Sequence, residues 1–316
     1  MKTAAKREAG RDLLAAIGDT PLIELSRLPG VPTNTHLFAK LEGCNPGGSI
    51  KDRPVARILK EAQAAGRLAA GVRVLDSSSG NAGISYAMLG GAMGLGVSIV
   101  VPGNASRERI ERMTAHGAEL LLTDPLKGYD FALQEARRLA ETYPERYWYA
   151  DQYSNDANWR AHYESTGPEI REQILQKTGA PIDAFVAGVG TGGTLTGVGR
   201  RLREGNPKLF IAAVLPERFP GIEGLKPLGE PEDIVPAIFE ADLVDEYVPV
   251  TVEQALTVTK LLAQCGLFVG PSSGAYVYAA TRLAAERKFR CIATVLSDTG
   301  ERYGSTGLWR GHAGSG

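Results

Sequence analysis

The stretch Lys40-Leu41-Glu42-Gly43-Cys44-Asn45-Pro46-Gly47-Gly48-Ser49-Ile50-Lys51-Asp52-Arg53 decides how the chain is read. It starts as the end of a strand, breaks at Asn45-Pro46-Gly47-Gly48, and runs into a helical pattern from about Lys51. Ser49 is placed to cap that helix. Lys51 then falls near the first turn, beside main-chain N–H groups that no helical carbonyl reaches and at the positive end of the dipole. Cations favour the other end, so a lysine here has two readings. One is a solvated surface amine. The other is an amine poised to form a Schiff base with a carbonyl cofactor.

Three later stretches bear on that choice. Val72-Arg73-Val74-Leu75-Asp76 reads as a buried strand leading into Ser77-Ser78-Ser79-Gly80-Asn81-Ala82-Gly83, with a helix behind it from Ile84. Strand, small polar loop and helix together aim main-chain N–H groups at an anion, although many αβ units turn on serines and glycines for no such purpose. Phe185–Val189 is a second buried strand, followed by Gly190-Thr191-Gly192-Gly193-Thr194 and a helix from Leu195. Its glycines allow a nest of N–H groups, and the threonines add hydroxyl donors. The dinucleotide spacing G-x-G-x-x-G fails here and no Walker lysine is present, so the loop suits the phosphate of a mononucleotide-sized cofactor, with a structural turn as the alternative. The third stretch, Gly270-Pro271-Ser272-Ser273-Gly274, opens another helix.

Elsewhere the pattern is a repeated αβ alternation. Val97–Val101 and Glu119–Leu122 read as strands, and Arg107–His116 and Tyr129–Thr142 as helices, which implies a parallel sheet with helices on both faces. Ser154–Trp159 is polar and turn-rich and reads as the hinge between two domains, which puts Gln152 at a cleft. Pro216 to Pro236 is a long loop of the kind that serves as a lid or binding loop. Residues 1–10 read as frayed and 311–316 as flexible.

Composition excludes several classes. The 316 residues are 43% apolar and 22% charged, and 35 Lys and Arg against 36 Asp and Glu leave a net charge of −1. Such a chain has no bulk field to recruit nucleic acid or an anionic membrane. Cys44, Cys265 and Cys291 lack finger or CxxC spacing, which argues against a metal cluster or disulfide framework and for a reducing compartment. No apolar run follows Met1-Lys2-Thr3, and none is long enough to span a bilayer, so the expectation is a soluble, cytoplasmic protein.

Taken together, Gly18-Asp19-Thr20-Pro21-Leu22, Gly48–Arg53, Ser79–Gly83, Asp151-Gln152-Tyr153, His162-Tyr163, Thr166–Glu169, Gly190–Thr194, Ser272-Ser273-Gly274 and Gly300-Glu301-Arg302-Tyr303 stand in the order found in one family. From about Gly18 to Trp309 the chain resembles the cysteine synthases (O-acetylserine sulfhydrylases), fold-type II pyridoxal-phosphate enzymes, and among them the B isozyme. The resemblance implies an α/β fold of two domains, each with a mostly parallel sheet flanked by helices. It places a smaller substrate-binding domain at 44–155 and a larger cofactor-binding domain at 11–43 plus 156–316. It implies that Lys51 holds pyridoxal phosphate and then acts as base on the substrate Cα, that Asn81 meets the ring oxygen, and that Gly190, Thr191, Gly192, Gly193 and Thr194 bind the phosphate. Ser272, with Ser273 as the second candidate, would meet the pyridine nitrogen. Ser78, Ser79, Gly80, Ala82 and Gln152 would bind the substrate carboxylate, and Lys226, or Arg218, would lie near the leaving group.

The implied reaction makes L-cysteine from O-acetyl-L-serine, or O-phospho-L-serine, and sulfide through an aminoacrylate, in a homodimer. Cystathionine β-synthase-like or serine/threonine dehydratase-like elimination, and a non-catalytic binding protein, are the alternatives. The sequence departs from the family pattern at Ala82, Pro271, Tyr276, Tyr278 and Gly304.

Overall fold

The computed structural model describes residues 12–231 and 233–310; the expectations for residues 1–10 and 311–316 lie outside these. The described chain divides into two units. The first holds the residues up to Ile17, Lys51–Ala157, and those from Gly300 onward; the second holds Gly18–Ile50 and Asn158–Thr299. The division differs from the expected one at residues 44–50, which belong to the second unit, and at residues 12–17, 156–157 and beyond 299, which belong to the first.

The first unit is built on a four-stranded parallel sheet. Strands β3 (Arg73–Ser77), β4 (Gly96–Pro102), β5 (Glu119–Thr123) and β6 (Tyr147–Tyr149) lie in the order β5-β4-β3-β6. The helices are α1 (Asp52–Ala64), α2 (Asn81–Met93), α3 (Arg107–Ala115) and α4 (Gly128–Thr142). Every residue of α2 from Ala82 to Gly90 is buried, so the segment is helical without being amphipathic. It sits close on the sheet because Gly90 has no side chain: a Cβ there would stand 2.2 Å from Val97 Cγ2. The returning segment docks on α3, with Ser305 N and Oγ held by Glu108 at 2.6 and 2.7 Å and the Arg109 guanidinium over the Tyr303 ring. Those contacts are long-range, which is why the segment's membership is invisible to local pattern.

The second unit carries six strands in the order β1-β2-β10-β7-β8-β9: β1 (Leu22–Glu24), β2 (His36–Leu41), β7 (Ala184–Gly188), β8 (Phe210–Pro216), β9 (Glu246–Val250) and β10 (Cys291–Leu296). Only the β1–β2 pair is antiparallel. The interior strands are apolar runs of Val, Ile, Leu, Phe and Ala, as a sheet covered on both faces requires. Its helices include the short α5 (Ala157–Ala161), which passes through a π turn at His162–Thr166 into α6 (Gly167–Thr178). Later come α7 (Gly193–Gly205), α8 (Val252–Gln264) and α9 (Pro271–Arg287). Thr251 and Gln254 close a capping box on α8, and Pro271 takes the first position of α9, where its missing N–H costs nothing. Within β2 the fully buried Lys40 is paired with Glu169 at 2.7 Å.

Candidate active site

Lys51 is where the sequence analysis put it, at a helix start, but the cap differs. Lys51 itself is the N-cap of α1 and makes no side-chain capping bond. Ser49 does not cap the helix. The turn at Gly48 (φ +73) sends Ser49 into an antiparallel bridge with Asp298, and Ile50 N then bonds Ser297 O at 2.8 Å, so the helix begins later. Asp52, the first helical residue, is fully buried, and its Oδ1 lies 2.5 Å from Ser85 Oγ, which is in turn 3.0 Å from Asn81 O. One hydroxyl therefore ties the start of α1, where Lys51 stands, to the start of α2, where Asn81 stands.

The loop from Ser77 to Gly83 is also part of the first unit. Ser78 turns its hydroxyl inward to accept from Gly80 N (3.1 Å) and Gly83 N (2.9 Å), doing the work of an N-cap for α2. Ser79, Gly80 and Asn81 are half-buried, whereas Ala82 is buried in the unit's apolar cluster. Gly83 is required for packing, since a Cβ would lie 2.5 Å from Met113 Sδ. Gln152 is buried; its Nε2 donates to Ser77 O at 2.9 Å and its N–H to Asp76 Oδ2 at 3.3 Å.

In the second unit, β7 ends at Gly188, and Gly190–Thr194 leads into the amino terminus of α7. Gly192 caps α7 with φ +82, a conformation that disfavours any side chain. The protein itself crowds the glycines: a Cβ would stand 2.6 Å from Gly224 O at Gly190, 2.5 Å from Phe239 Cβ at Gly192, and 2.1 Å from Asn158 Oδ1 at Gly193. The two threonines are held from behind. Asn158 Nδ2 donates to Thr191 Oγ1 at 3.1 Å, and His162 Nε2 lies 3.3 Å from Thr194 Oγ1 while its Nδ1 meets Thr166 Oγ1 at 2.9 Å. The sequence analysis assigned no role to Asn158 or His162. The π turn that aims His162 at Thr194 leaves no local sequence signal.

Ser272 and Ser273 can now be told apart. Ser273 Oγ accepts from Ser297 N at 2.9 Å, deep in the unit. The Ser272 hydroxyl instead faces that of Tyr276, which also meets the Ser297 hydroxyl and the Gly188 main chain, and burial pushes the Tyr276 phenol up to about 12. Tyr276 fills the space beside Gly188, where a Cβ would come within 2.6 Å of its ring. Arg218 is engaged by Asp233 through two contacts of 2.9 and 3.0 Å. Lys226 is anchored by its N–H to Val189 O (2.8 Å), and its amine donates to Ile234 O at 3.3 Å. The long loop thus runs along the start of the glycine cup, with its two cations turned to the loop itself.

These features fit a phosphorylated carbonyl cofactor. In the second unit a cradle of N–H groups that glycine alone can line stands at one helix amino terminus and a neutral hydroxyl at another; in the first unit a half-buried lysine stands at a helix start. Residues 13–298 match the model of the pyridoxal-phosphate dependent enzymes, and the chain belongs to that family. A cysteine synthase of Aquifex aeolicus is 43% identical over 311 residues, 96% of this chain and 93% of that protein. Among solved structures, an O-ureido-L-serine synthase superposes with a TM-score of 0.86 at 34% identity, covering 96% of both chains. A cysteine synthase of Entamoeba histolytica gives 0.84 at 33%, covering 94% of this chain and 90% of that one. The chain is therefore a pyridoxal-phosphate-dependent enzyme of the fold-type II class. Among the described residues no group of His, Cys, Asp and Glu is arranged to hold a metal ion, and no helix is long and apolar enough to cross a membrane.

Proposed function

We propose that this enzyme is a cysteine synthase, which replaces the β-acetoxy group of O-acetyl-L-serine with sulfide and releases L-cysteine and acetate. The observation that carries the reaction type is the pair at the start of α9. Ser273 is committed to Ser297 N, which supports the reading of the uncharged Ser272 hydroxyl as the group for the pyridine nitrogen. A carboxylate there would favour transamination; a hydroxyl suits loss of a β-substituent. The A. aeolicus relative supports the product.

When bound, pyridoxal phosphate supplies an electron sink for the pair left on the substrate α-carbon. The residues divide the remaining work. Lys51 would hold the cofactor, and its free amine would be the base that takes the substrate α-proton. Main-chain N–H groups of the Ser79–Ala82 segment, with the Gln152 side chain, would orient the substrate carboxylate, and the Asn81 side chain would meet the cofactor ring oxygen. Gly190–Thr194 would hold the phosphate through N–H groups at the positive end of α7, with Asn158 and His162 fixing the two threonine hydroxyls. Ala82 contributes its N–H and not its buried side chain. The same reading extends to a homodimer working in the cytoplasm.

The test is direct. Borohydride reduction followed by peptide mapping places the pyridoxyl group on Lys51, and the holoenzyme converts O-acetylserine and sulfide to cysteine. Labelling of a different lysine sinks the site. Labelling of Lys51 without cysteine formation sinks the substrate assignment and leaves cystathionine formation or simple elimination as the readings to assay.

A further inference from the structure

Asp76 is the last charged residue of β3 and stands one position before the Ser77 junction. No role in the proposed chemistry falls to it. It is fully buried next to the end of the strand, directly after the buried Val74 and Leu75. A buried carboxylate is costly unless its oxygens accept hydrogen bonds. Here Oδ1 accepts from Ser77 N at 2.8 Å and Oδ2 from Gln152 N at 3.3 Å. The carbonyl of Ser77 is gripped as well, by Gln152 Nε2 at 2.9 Å and Tyr129 Oη at 3.1 Å. Asp151, which precedes Gln152, sits at φ +46, and its carbonyl accepts from Ser154 N and Asn155 N in a tight turn. One carboxylate thus bridges two segments far apart in sequence, the exit of β3 and the turn that carries Gln152.

We propose that Asp76 is a positioning residue for amino-acid recognition, whose carboxylate locks the Ser77–Ala82 loop and Gln152 into the arrangement that receives the substrate carboxylate. This rests on the reading of that loop as the amino-acid site. The carboxylate form performs the task, because it accepts from two N–H groups; a protonated Asp76 has to donate its new O–H and gives up one of them.

The surroundings make that form sensitive to pH near neutrality. Burial pushes the Asp76 carboxyl up to about 7, and the charge of Asp151 pushes the same way. The Tyr86 hydroxyl on α2 and the N–H groups of Ser77 and Gln152 pull it down. From α4 it faces Tyr129, with Asp130 beyond, and from the β6 side Tyr149 and Tyr153. Arg137 reaches Asp151 at 3.9 Å and the Tyr149 hydroxyl. The sign follows. Above pH 7 the carboxylate is present and the loop is set. Below it a proton must leave before the amino acid binds in the locked arrangement, so affinity falls by up to about tenfold per pH unit.

The test uses the holoenzyme and L-alanine, which has no β-leaving group, with binding read from the cofactor absorbance between pH 5.5 and 8.5. The parent is expected to show an inflection near pH 7, with weaker binding on the acid side. Tyr86→Phe, which removes a group that pulls the Asp76 carboxyl down, moves the inflection to higher pH. Asp76→Asn, checked for native circular dichroism, abolishes it and binds L-alanine at least tenfold more weakly at pH 8. Should Asp76→Asn not fold, the parent and Tyr86→Phe decide alone. An absent inflection in the parent, or one that Tyr86→Phe leaves in place, overturns the proposal. Gln152→Ala separates the two levels: weaker L-alanine binding in that variant with unresponsive Asp76 and Tyr86 variants defeats only the role of Asp76, whereas unchanged binding defeats the amino-acid site itself.

Discussion

Ser272 and Ser273 are adjacent, chemically identical and both buried, yet their substitution by alanine should have opposite consequences. In Ser273→Ala the Ser297 N–H loses the acceptor it meets at 2.9 Å. Both residues lie in the interior of the second unit, so that N–H is left in a dry environment, at a cost of about 1–3 kcal/mol. At roughly 2–4 °C per kcal/mol for a large domain, the fall in Tm is about 2–12 °C. Cofactor absorbance should stay that of the parent. In Ser272→Ala the lost hydroxyl faces that of Tyr276, which retains the Ser297 hydroxyl and the Gly188 main chain. Stability should change by no more than about 0.5 kcal/mol, while the bound cofactor absorbs differently and kcat falls. Urea denaturation of the cofactor-free proteins, followed by spectra after reconstitution, measures both effects. Equal stability of the two variants, or a spectral change confined to Ser273→Ala, would refute the assignment of roles.

Two further outcomes follow from the second unit. Gly193→Ala drives a methyl group to 2.1 Å from Asn158 Oδ1 and so displaces the amide that holds Thr191; cofactor affinity, titrated by fluorescence on the cofactor-free protein, should drop at least about tenfold, and parental affinity contradicts the account. Lys226→Ala removes an amine turned to Ile234 O, so kcat/KM for O-acetylserine and for O-phosphoserine should decline by the same factor, below about ten, whereas a loss confined to O-phosphoserine restores Lys226 as a phosphate-selecting residue.

Much of the fold was legible because its signals are local. The apolar runs at 97–101 and 185–189 and the helical spacing after Lys51 depend only on near neighbours, and the structure returns them within a residue or two. What was missed has a physical cause in each instance. Strand β6 is three aromatic residues long, and β9 contains Pro249, which sequence reading discounts in a strand but which an edge position tolerates. The helices from Ala157 to Thr178 open on a polar, turn-like stretch and pass through a π turn, so neither their start nor their period is regular. Ser49 looks like a cap by composition, yet pairing with Asp298, nearly 250 positions away, takes it out of the helix.

The site shows the same boundary from the other side. Its anion cup was readable because glycine is the one residue whose presence reports space, and here the space is claimed by Gly224, Phe239 and Asn158 as much as by any ligand. The residues that position the cup and the loop leave a weaker trace. A histidine behind Thr194, an asparagine behind Thr191 and a carboxylate behind Ser77 are each one polar residue in an otherwise ordinary stretch. Of the three, Asp76 alone carried a usable anomaly, a buried acid near the end of a strand with no basic partner beside it in the loop that follows. Burying it is unfavourable unless main-chain N–H groups repay the lost hydration, and the two it found, one adjacent at Ser77 and one distant at Gln152, belong to the loop and the turn proposed to receive the substrate. A charge that local pattern cannot explain is therefore worth following to its partners, because those partners identify the parts of the fold that must be held in register.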